Sequence, residues 1–344
     1  MEIYDCLIIG GGPAGLYATF YAGLRDMRVK LVEHQSTLGG KLNLYPEKII
    51  WDVGGHSPIS AQQFKEELVE QSMTFNPDIT LNTSVKSIQQ FPNYYAITTE
   101  NHRYYSKAIV LATGRGIFTP EKLNIQYNPK FELTNLYYTI KSLSTFNRKD
   151  VVISGSGNVA LDYAEMILPV AKSITMICRK NKASGHEAMI NKLNNHPNFN
   201  LIYENSITQL LSNNQNDYIS HIKLSNDQTI NCDALIVSHG VVSNMDLLGT
   251  LKNKFAFNDV QQIETINQVE TTLKGFYVAG DQSIYNNKPS LIMSSMNEGC
   301  QAINKAKTYI DLNAPASGIV SSHNDKFKQL NIKNYHNSNT NSFN

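Results

Sequence analysis

Asp5-Cys6-Leu7-Ile8-Ile9-Gly10-Gly11-Gly12-Pro13-Ala14-Gly15 is the stretch on which the reading of this chain turns. The apolar run from Cys6 to Ile9 is too short for a helix and reads as a buried parallel strand. Glycines follow at once, and Leu16 to Arg25, rich in Ala and Tyr, suits a helix. Val29-Lys30-Leu31-Val32 then reads as a second strand, ending at Glu33. A lone Gly-x-Gly-x-x-Gly is weak evidence, but between a strand and a helix it marks a dinucleotide-binding βαβ unit. Gly10 makes the tight turn, Gly12 lets backbone approach a pyrophosphate, and Gly15 lets helix and strand pack closely. The pyrophosphate would lie at the helix N-terminus. Gly10, Gly12, Ala14 and Gly15 are therefore candidate cofactor contacts. Glu33, about twenty residues beyond Gly12, stands where a carboxylate accepts from ribose hydroxyls.

The same plan recurs. Val151-Val152-Ile153 reads as a strand, Gly155 to Ala160 as a turn, Leu161 to Val170 as a helix, and Ile174 to Cys178 as the next strand. Asp233 to Gly240 mirrors the earlier run from Ala108 to Gly114, so the chain carries a loose internal duplication. Gly155, Gly157 and Asn158 are candidates to hold a second dinucleotide. Its second strand ends in Cys178-Arg179-Lys180 and not in an acid. An acid would repel a 2′-phosphate, whereas Arg binds one by charge-assisted bonds, so Arg179 and Lys180 favour NADPH over NADH.

Outside the two units, residues 38–55 read as loop, Ser60 as the cap of a helix through Phe64 and Leu68, and residues 115–150 as a crossing between domains. Gly275 to Asp281 reads as a strand with an acid at its tip. Ser290 is expected to cap a helix carrying Ile292, Met296, Gly299, Ile303, Ala306 and Ile310 at helical spacing. Asp281 can accept from polyol hydroxyls, and the N-terminus of that helix would suit nearby anionic charge. Two dinucleotide sites in one chain are explained economically if one holds a flavin and the other docks a nicotinamide. The expected fold class is α/β with two Rossmann-like dinucleotide-binding domains. An FAD domain would comprise 1–115 and 246–330, the second part carrying a C-terminal extension, and an NADPH domain 116–245. Residues 331–344, dominated by Asn and Ser, are expected to be disordered.

The whole-chain figures fit that plan. The 344 residues suggest about two domains at roughly 150 residues each. A net charge of +1 declares no field for nucleic acid. Four cysteines, at 6, 178, 232 and 300, form no close pair or metal cluster, and a reducing compartment suits them. The first residues lack a basic n-region, and no apolar run approaches the roughly 18–20 residues of a membrane span. The expectation is a cytoplasmic protein without metal, membrane or nucleic-acid partners.

The chain resembles the thioredoxin-reductase-like flavoproteins and, within them, the bacterial ferredoxin/flavodoxin–NADP⁺ reductases. The likeness spans roughly residues 3–330. It rests on GGGPAG at 10–15, LGGK at 38–41, YPEK at 45–48, WDVGG at 51–55, the run from Gly155, SGHE at 184–187 and GFYVAGD at 275–281. It implies FAD and NADPH as cofactors and a homodimer. Ferredoxin, flavodoxin or a small ferric acceptor would take the electrons. By resemblance Glu33 is the adenosine-ribose ligand and Asp281 the ribityl ligand. Lys41 stands beside the flavin where the family usually has Gln, and Tyr45 stacks on one flavin face. Val85 and Phe118 supply backbone or packing contacts, and His323 of the extension covers the opposite face, of the same chain or of a partner. The basic positions depart from the family pattern at Lys180 and Ser184, which weakens the NADPH preference. The resemblance assigns no side chain as nucleophile or acid–base catalyst. Two rival readings stand beside it: a thioredoxin-reductase-like disulfide reductase, which would need a cysteine pair in reach of the flavin, and a non-catalytic FAD/NAD(P)H redox sensor.

Overall fold

The computed structural model describes residues 2–140, 142–213, 215–244, 246–318, 320–328 and 331–332. Apart from 331–332, the tail expected to be disordered lies outside the described residues. The chain divides into two compact units, one of residues 1–117 and 244–344, the other of 118–243.

In the first unit the opening strand is Ile3–Ile9, and it pairs in parallel with Val29–Val32 on one side and Arg103–Leu111 on the other. Asp78–Thr80 extends the sheet beyond Val29–Val32, and Phe276–Val278 joins the far end of Arg103–Leu111, both in parallel. Val85–Gln90 and Tyr95–Thr99 add an antiparallel meander against the near end of Arg103–Leu111. The short apolar run that opens the chain is explained by burial on both faces. Leu7 and Ile9 pack with Leu248, Phe255 and Phe276, while Cys6 and Ile8 pack with Ala14, Ala18, Ala302 and Ala306. These alanines lie on two helices, Pro13–Leu24 and Ile292–Ile310. Their close approach depends on Gly299, where a Cβ would overlap the Ala14 carbonyl oxygen. Helix Ala61–Ser72 begins at Ser60, whose hydroxyl accepts from Gln63 N as expected.

The second unit repeats the plan. Its parallel sheet runs Leu136–Tyr137, Ala234–Val237, Asp150–Ser154, Ser173–Ile177, Phe199–Ile202. An antiparallel set, Ile207–Ser212, Ile219–Leu224 and Thr229–Asn231, packs against it through Ile207, Leu210, Ile222 and Leu224.

Several expectations are corrected. The second glycine turn is shorter than expected, because the helix already begins at Asn158 and ends at Ile167. Residues 115–150 are not a plain crossing: Phe131–Thr134 forms a helical turn and Leu136–Tyr137 a strand of the second unit's sheet. The 38–55 segment holds a 3₁₀ turn at Gly40–Leu44 and a short strand, Ile49–Ile50, paired with Ile59–Ser60. Ser290 does not cap the last long helix. The residue in the capping position is Leu291, with extended backbone (φ −122°, ψ 153°) and no side-chain bond, so the hydroxyl stands one residue out of register.

Candidate functional site

In the first unit, everything converges on the Gly10–Gly12 turn at the end of strand Ile3–Ile9. Gly10 has φ +106°, and a Cβ there would overlap the Ala112 carbonyl oxygen. A Cβ at Gly15 would overlap the Gly10 carbonyl oxygen. These two glycines are required by the chain's own packing. Gly12 is different. It is the capping residue of helix Pro13–Leu24, and the nearest atom to a Cβ there is Gly40 Cα at 3.8 Å. The first turn of that helix has no acidic residue and, among the described residues, no side-chain cap; Pro13 has no N–H and Leu16 N bonds Gly12 O, so the N–H groups of Ala14 and Gly15 are the ones placed to meet an anion. Ala14 is buried under the turn, with its Cβ 3.2 Å from where a Cβ at Gly280 would lie.

Glu33 is buried, and both of its oxygens already accept backbone bonds, Oε2 from Gly11 N at 2.6 Å and Oε1 from Gln35 N at 2.7 Å. The carboxylate thus clamps the turn, and each oxygen keeps lone-pair capacity for a ribose hydroxyl. The LGGK segment crosses directly over the turn. Gly39 N donates to Gly11 O at 2.8 Å, and a Cβ at Gly40 would come within 2.9 Å of Gly12 Cα. Lys41 and Asp281, far apart in sequence, form an ion pair at 2.5 Å, with both side chains substantially exposed. Tyr45 is half-buried, and the Lys48 ammonium lies 5.6 Å from its ring centre. Val85 opens its strand and is part of the core with Leu7 and Val32. Phe118 lies in the strand Ile117–Pro120, and its side chain is outside the described residues.

One observation tests whether these residues fit a ligand. Thr113 follows strand Arg103–Leu111, and its Cα lies 3.0 Å from where a Cβ at Gly10 would be. Its Oγ1 is buried with no hydrogen-bond partner among the described residues. A buried hydroxyl left unpaired costs about 1–3 kcal/mol. Beside an open helix N-terminus, such an oxygen fits a site completed by a polar ligand. A dinucleotide matches both features.

Sequence reasoning missed Glu298. It is fully buried and accepts from Gly280 N at 2.7 Å, Ser283 Oγ at 3.1 Å and Tyr285 Oη at 2.9 Å. Lys288, also buried, pairs with it at 2.8 Å and donates to Gly280 O at 2.7 Å. Burial and the adjacent carboxylate push the Tyr285 phenol well up. This network fixes the turn that carries Asp281 beside Ser295, in the first turn of the last long helix. The one available signal was an acid at 298 on the same helical stripe as Ala302 and Ala306.

His323 is exposed, in a 3₁₀ turn Ser321–His323. The segments on either side of it anchor at the C-terminal end of helix Pro13–Leu24. Arg25 donates to Pro315 O at 2.7 Å, Gly318 N reaches Tyr21 Oη at 3.3 Å, and Lys326 donates to Gly23 O at 2.7 Å and pairs with Asp26. Phe327 packs on Phe75. Twelve helical residues span about 18 Å. The structure therefore holds the extension at the end of this helix opposite Gly12, and it does not bring His323 to its own chain's glycine turn.

In the second unit, Gly155 has φ +128° and is pressed against the Ser238 carbonyl. Gly157 caps helix Asn158–Ile167, with Ser184 Oγ 3.8 Å from its would-be Cβ. Asn158 Oδ1 accepts from His186 N at 2.9 Å, and Ser184 N donates to Ser156 O at 3.1 Å, so the SGHE loop folds over the turn. Arg179 and Lys180 are exposed beyond strand Ser173–Ile177. His239, not singled out from sequence, meets Ser154 Oγ at 2.7 Å.

All four cysteines are free; Cys6, Cys178 and Cys232 are buried, and burial pushes the Cys6 and Cys232 thiols well up. Among the described residues no cluster of three or more His, Cys, Asp or Glu could hold a metal, and no helix is long and apolar enough to cross a membrane.

Residues 4–299 match the family described as pyridine nucleotide-disulphide oxidoreductase. The chain is 43% identical over 343 residues to ferredoxin–NADP reductase 1 of Lysinibacillus sphaericus (strain C3-41), covering 96% of this chain and 97% of that one. It is 40% identical over 337 residues to ferredoxin–NADP reductase 1 of Bacillus mycoides (strain KBAB4), covering 96% of each. Thioredoxin reductase of Lactococcus lactis has the same fold, with a TM-score of 0.73 at 20% identity, covering 89% of this chain and 99% of that one.

Proposed function

We propose, from the premise that this chain belongs to the pyridine nucleotide-disulphide oxidoreductase family, that it is an FAD-dependent oxidoreductase passing electrons from NADPH to ferredoxin or flavodoxin. The observation that carries this reading is the pair of glycine turns whose capping residues, Gly12 and Gly157, would have nothing nearer than 3.8 Å to a Cβ, in a chain whose four cysteines are free and widely separated in sequence. When bound, a flavin supplies the conversion of a two-electron donor into single-electron deliveries. The residues of the first turn would hold it. The helix N-terminus at Gly12 receives the pyrophosphate, Glu33 the adenosine ribose, and Asp281 the polyol, while Lys41 stands at the ring edge and Tyr45 at one face. Lys41 and Asp281 already pair at the exposed rim, so the cation is in place to offset charge arriving there. In the second unit the turn at Gly157 takes the pyrophosphate of NADPH, with Arg179 and Lys180 for its 2′-phosphate.

The names of the relatives favour ferredoxin as acceptor; flavodoxin and a small ferric chelate share its one-electron chemistry. A second copy of the chain completes the reading. The extension is anchored a helix length from Gly12, so His323 would cover the flavin of a partner. Four free thiols suit a cytoplasmic setting. The test is NADPH oxidation by purified protein with ferredoxin, flavodoxin, ferric citrate, thioredoxin and a dithiol reagent. Turnover with ferredoxin or flavodoxin and none with thioredoxin is the expected result. Turnover confined to disulfide acceptors would replace this reading with a disulfide reductase.

A further inference from the structure

Three neighbouring strand ends of the 118–243 unit meet beside its glycine turn. Ala234–Val237 leads into Ser238 and His239, Asp150–Ser154 ends on Ser154, and Ser173–Ile177 leads into Arg179. The sheet places these strands side by side. His239 Nε2 lies 2.7 Å from Ser154 Oγ, and Ser154 is buried. Ser238 N donates to Ser154 O at 2.8 Å, and Gly155 packs on the Ser238 carbonyl. The imidazole is thus built onto the residue that precedes the turn. The charged groups facing it are Arg179, from beyond one strand, and Glu121, whose N–H bonds Gly240 O at 3.0 Å. Burial first, and then Arg179, hold the imidazole below its ordinary range, with Glu121 pulling the other way.

We propose that His239 couples dinucleotide binding to a proton: the ring, bonded to the residue that precedes the turn, takes up a proton from solvent as anionic phosphates seat on the Gly155–Gly157 turn and on Arg179. This rests on the reading of that turn as the NADPH site. A phosphate on Arg179 cancels the cation that repels a proton from the ring, and a pyrophosphate at the turn adds charge of the favourable sign. The Ser154 hydroxyl both donates and accepts, so the bond to His239 survives either state of the ring. Linkage fixes the direction: a site that binds a proton more tightly when occupied binds its ligand more tightly as pH falls. The effect is larger for NADP⁺ than for NAD⁺, because only NADP⁺ carries a phosphate for Arg179.

The experiment titrates NADP⁺ and NAD⁺ into the FAD-loaded protein near pH 6.5, the ordinary titration range of histidine. Calorimetry in two buffers of different ionisation enthalpy gives the protons taken up per dinucleotide. The 2′-phosphate titrates in the same range, so the quantity read is wild type minus His239→Gln, a variant that can keep a bond to Ser154. The expected difference is several tenths of a proton, greater for NADP⁺. Equal proton counts in the two proteins, with NADP⁺ binding intact, would overturn the coupling alone; an absence of NADP⁺ binding would overturn the site reading and the coupling with it. Should the variant fail to fold, NMR titration of the His239 ring in wild type decides. A midpoint that rises on saturation with NADP⁺ supports the proposal, and one that stays fixed rejects it.

Discussion

Replacing Glu298 with Gln removes the carboxylate that pairs with a buried ammonium, and the structure sets the size of the effect. Glu298 is 0% exposed and Lys288 6%, so water cannot screen what is lost. Breaking a buried pair by removing one partner costs about 3–5 kcal/mol, because the remaining charge stays desolvated. Glu298 also holds Gly280 N, Ser283 Oγ and Tyr285 Oη, so the turn carrying Asp281 loosens together with the pair. For a unit of this size the loss corresponds to a fall of roughly 6–20 °C in melting temperature. The double variant Glu298→Gln/Lys288→Met removes both charges and keeps an amide oxygen for Gly280 N. It should recover to within about 1–2 kcal/mol of wild type, since a buried pair replaced as a whole is near neutral. Urea unfolding followed by release of flavin fluorescence measures wild type, Glu298→Gln, Lys288→Met and the double variant. A single variant that loses less than about 1 kcal/mol, or a double variant whose loss equals the sum of the singles, would refute the reasoning.

Arg179→Ala should raise the Michaelis constant for NADPH about tenfold and leave that for NADH nearly unchanged, the low end of a charge-assisted contact because Arg179 is exposed; steady-state kinetics with both donors checks it. Deleting residues 317–344 should leave FAD bound but alter its visible spectrum and the rate of its reduction by NADPH in stopped flow, and unchanged spectrum and kinetics would return His323 to a surface role. Burial opposes ionisation of Asp78, but bonds from Lys30 and Tyr4 outweigh it and hold the carboxyl below its ordinary range. A depressed carboxyl contributes stability above its unfolded pKa and loses it as pH falls, so the gap between wild type and Asp78→Asn should be widest above about pH 5 and close below about pH 4 in urea titrations.

What was legible in the sequence was local. The first glycine turn could be read because strand, turn and helix are contiguous, and Gly10 and Gly15 answer to contacts at the end of the neighbouring strand or within the same stretch. The second turn was legible for the same reason, although helical pattern alone did not show that Asn158 already lies in the helix. Glu298 was not legible, because an acid on a long helix is ordinarily solvated, and only the fold brings Lys288, Tyr285 and Gly280 around it. His239 was passed over for a similar reason: its partner Ser154 lies on the neighbouring strand, 85 residues earlier. Ser290 misled because Ser is a good capping residue, and the backbone turns into the helix one position later. The place of His323 depends on docking by Arg25 and Lys326 at a helix end, which no motif announces.

The central claim is that electrons leave this protein directly from its flavin, without a dithiol between. An anaerobic titration of the purified, FAD-loaded protein with NADPH tests it most directly. The account predicts that the flavin visible band bleaches completely with a single equivalent of NADPH per chain, since only the flavin stores electrons. A requirement for a second equivalent, with new thiols appearing as the first is consumed, would show a disulfide in the path and contradict it.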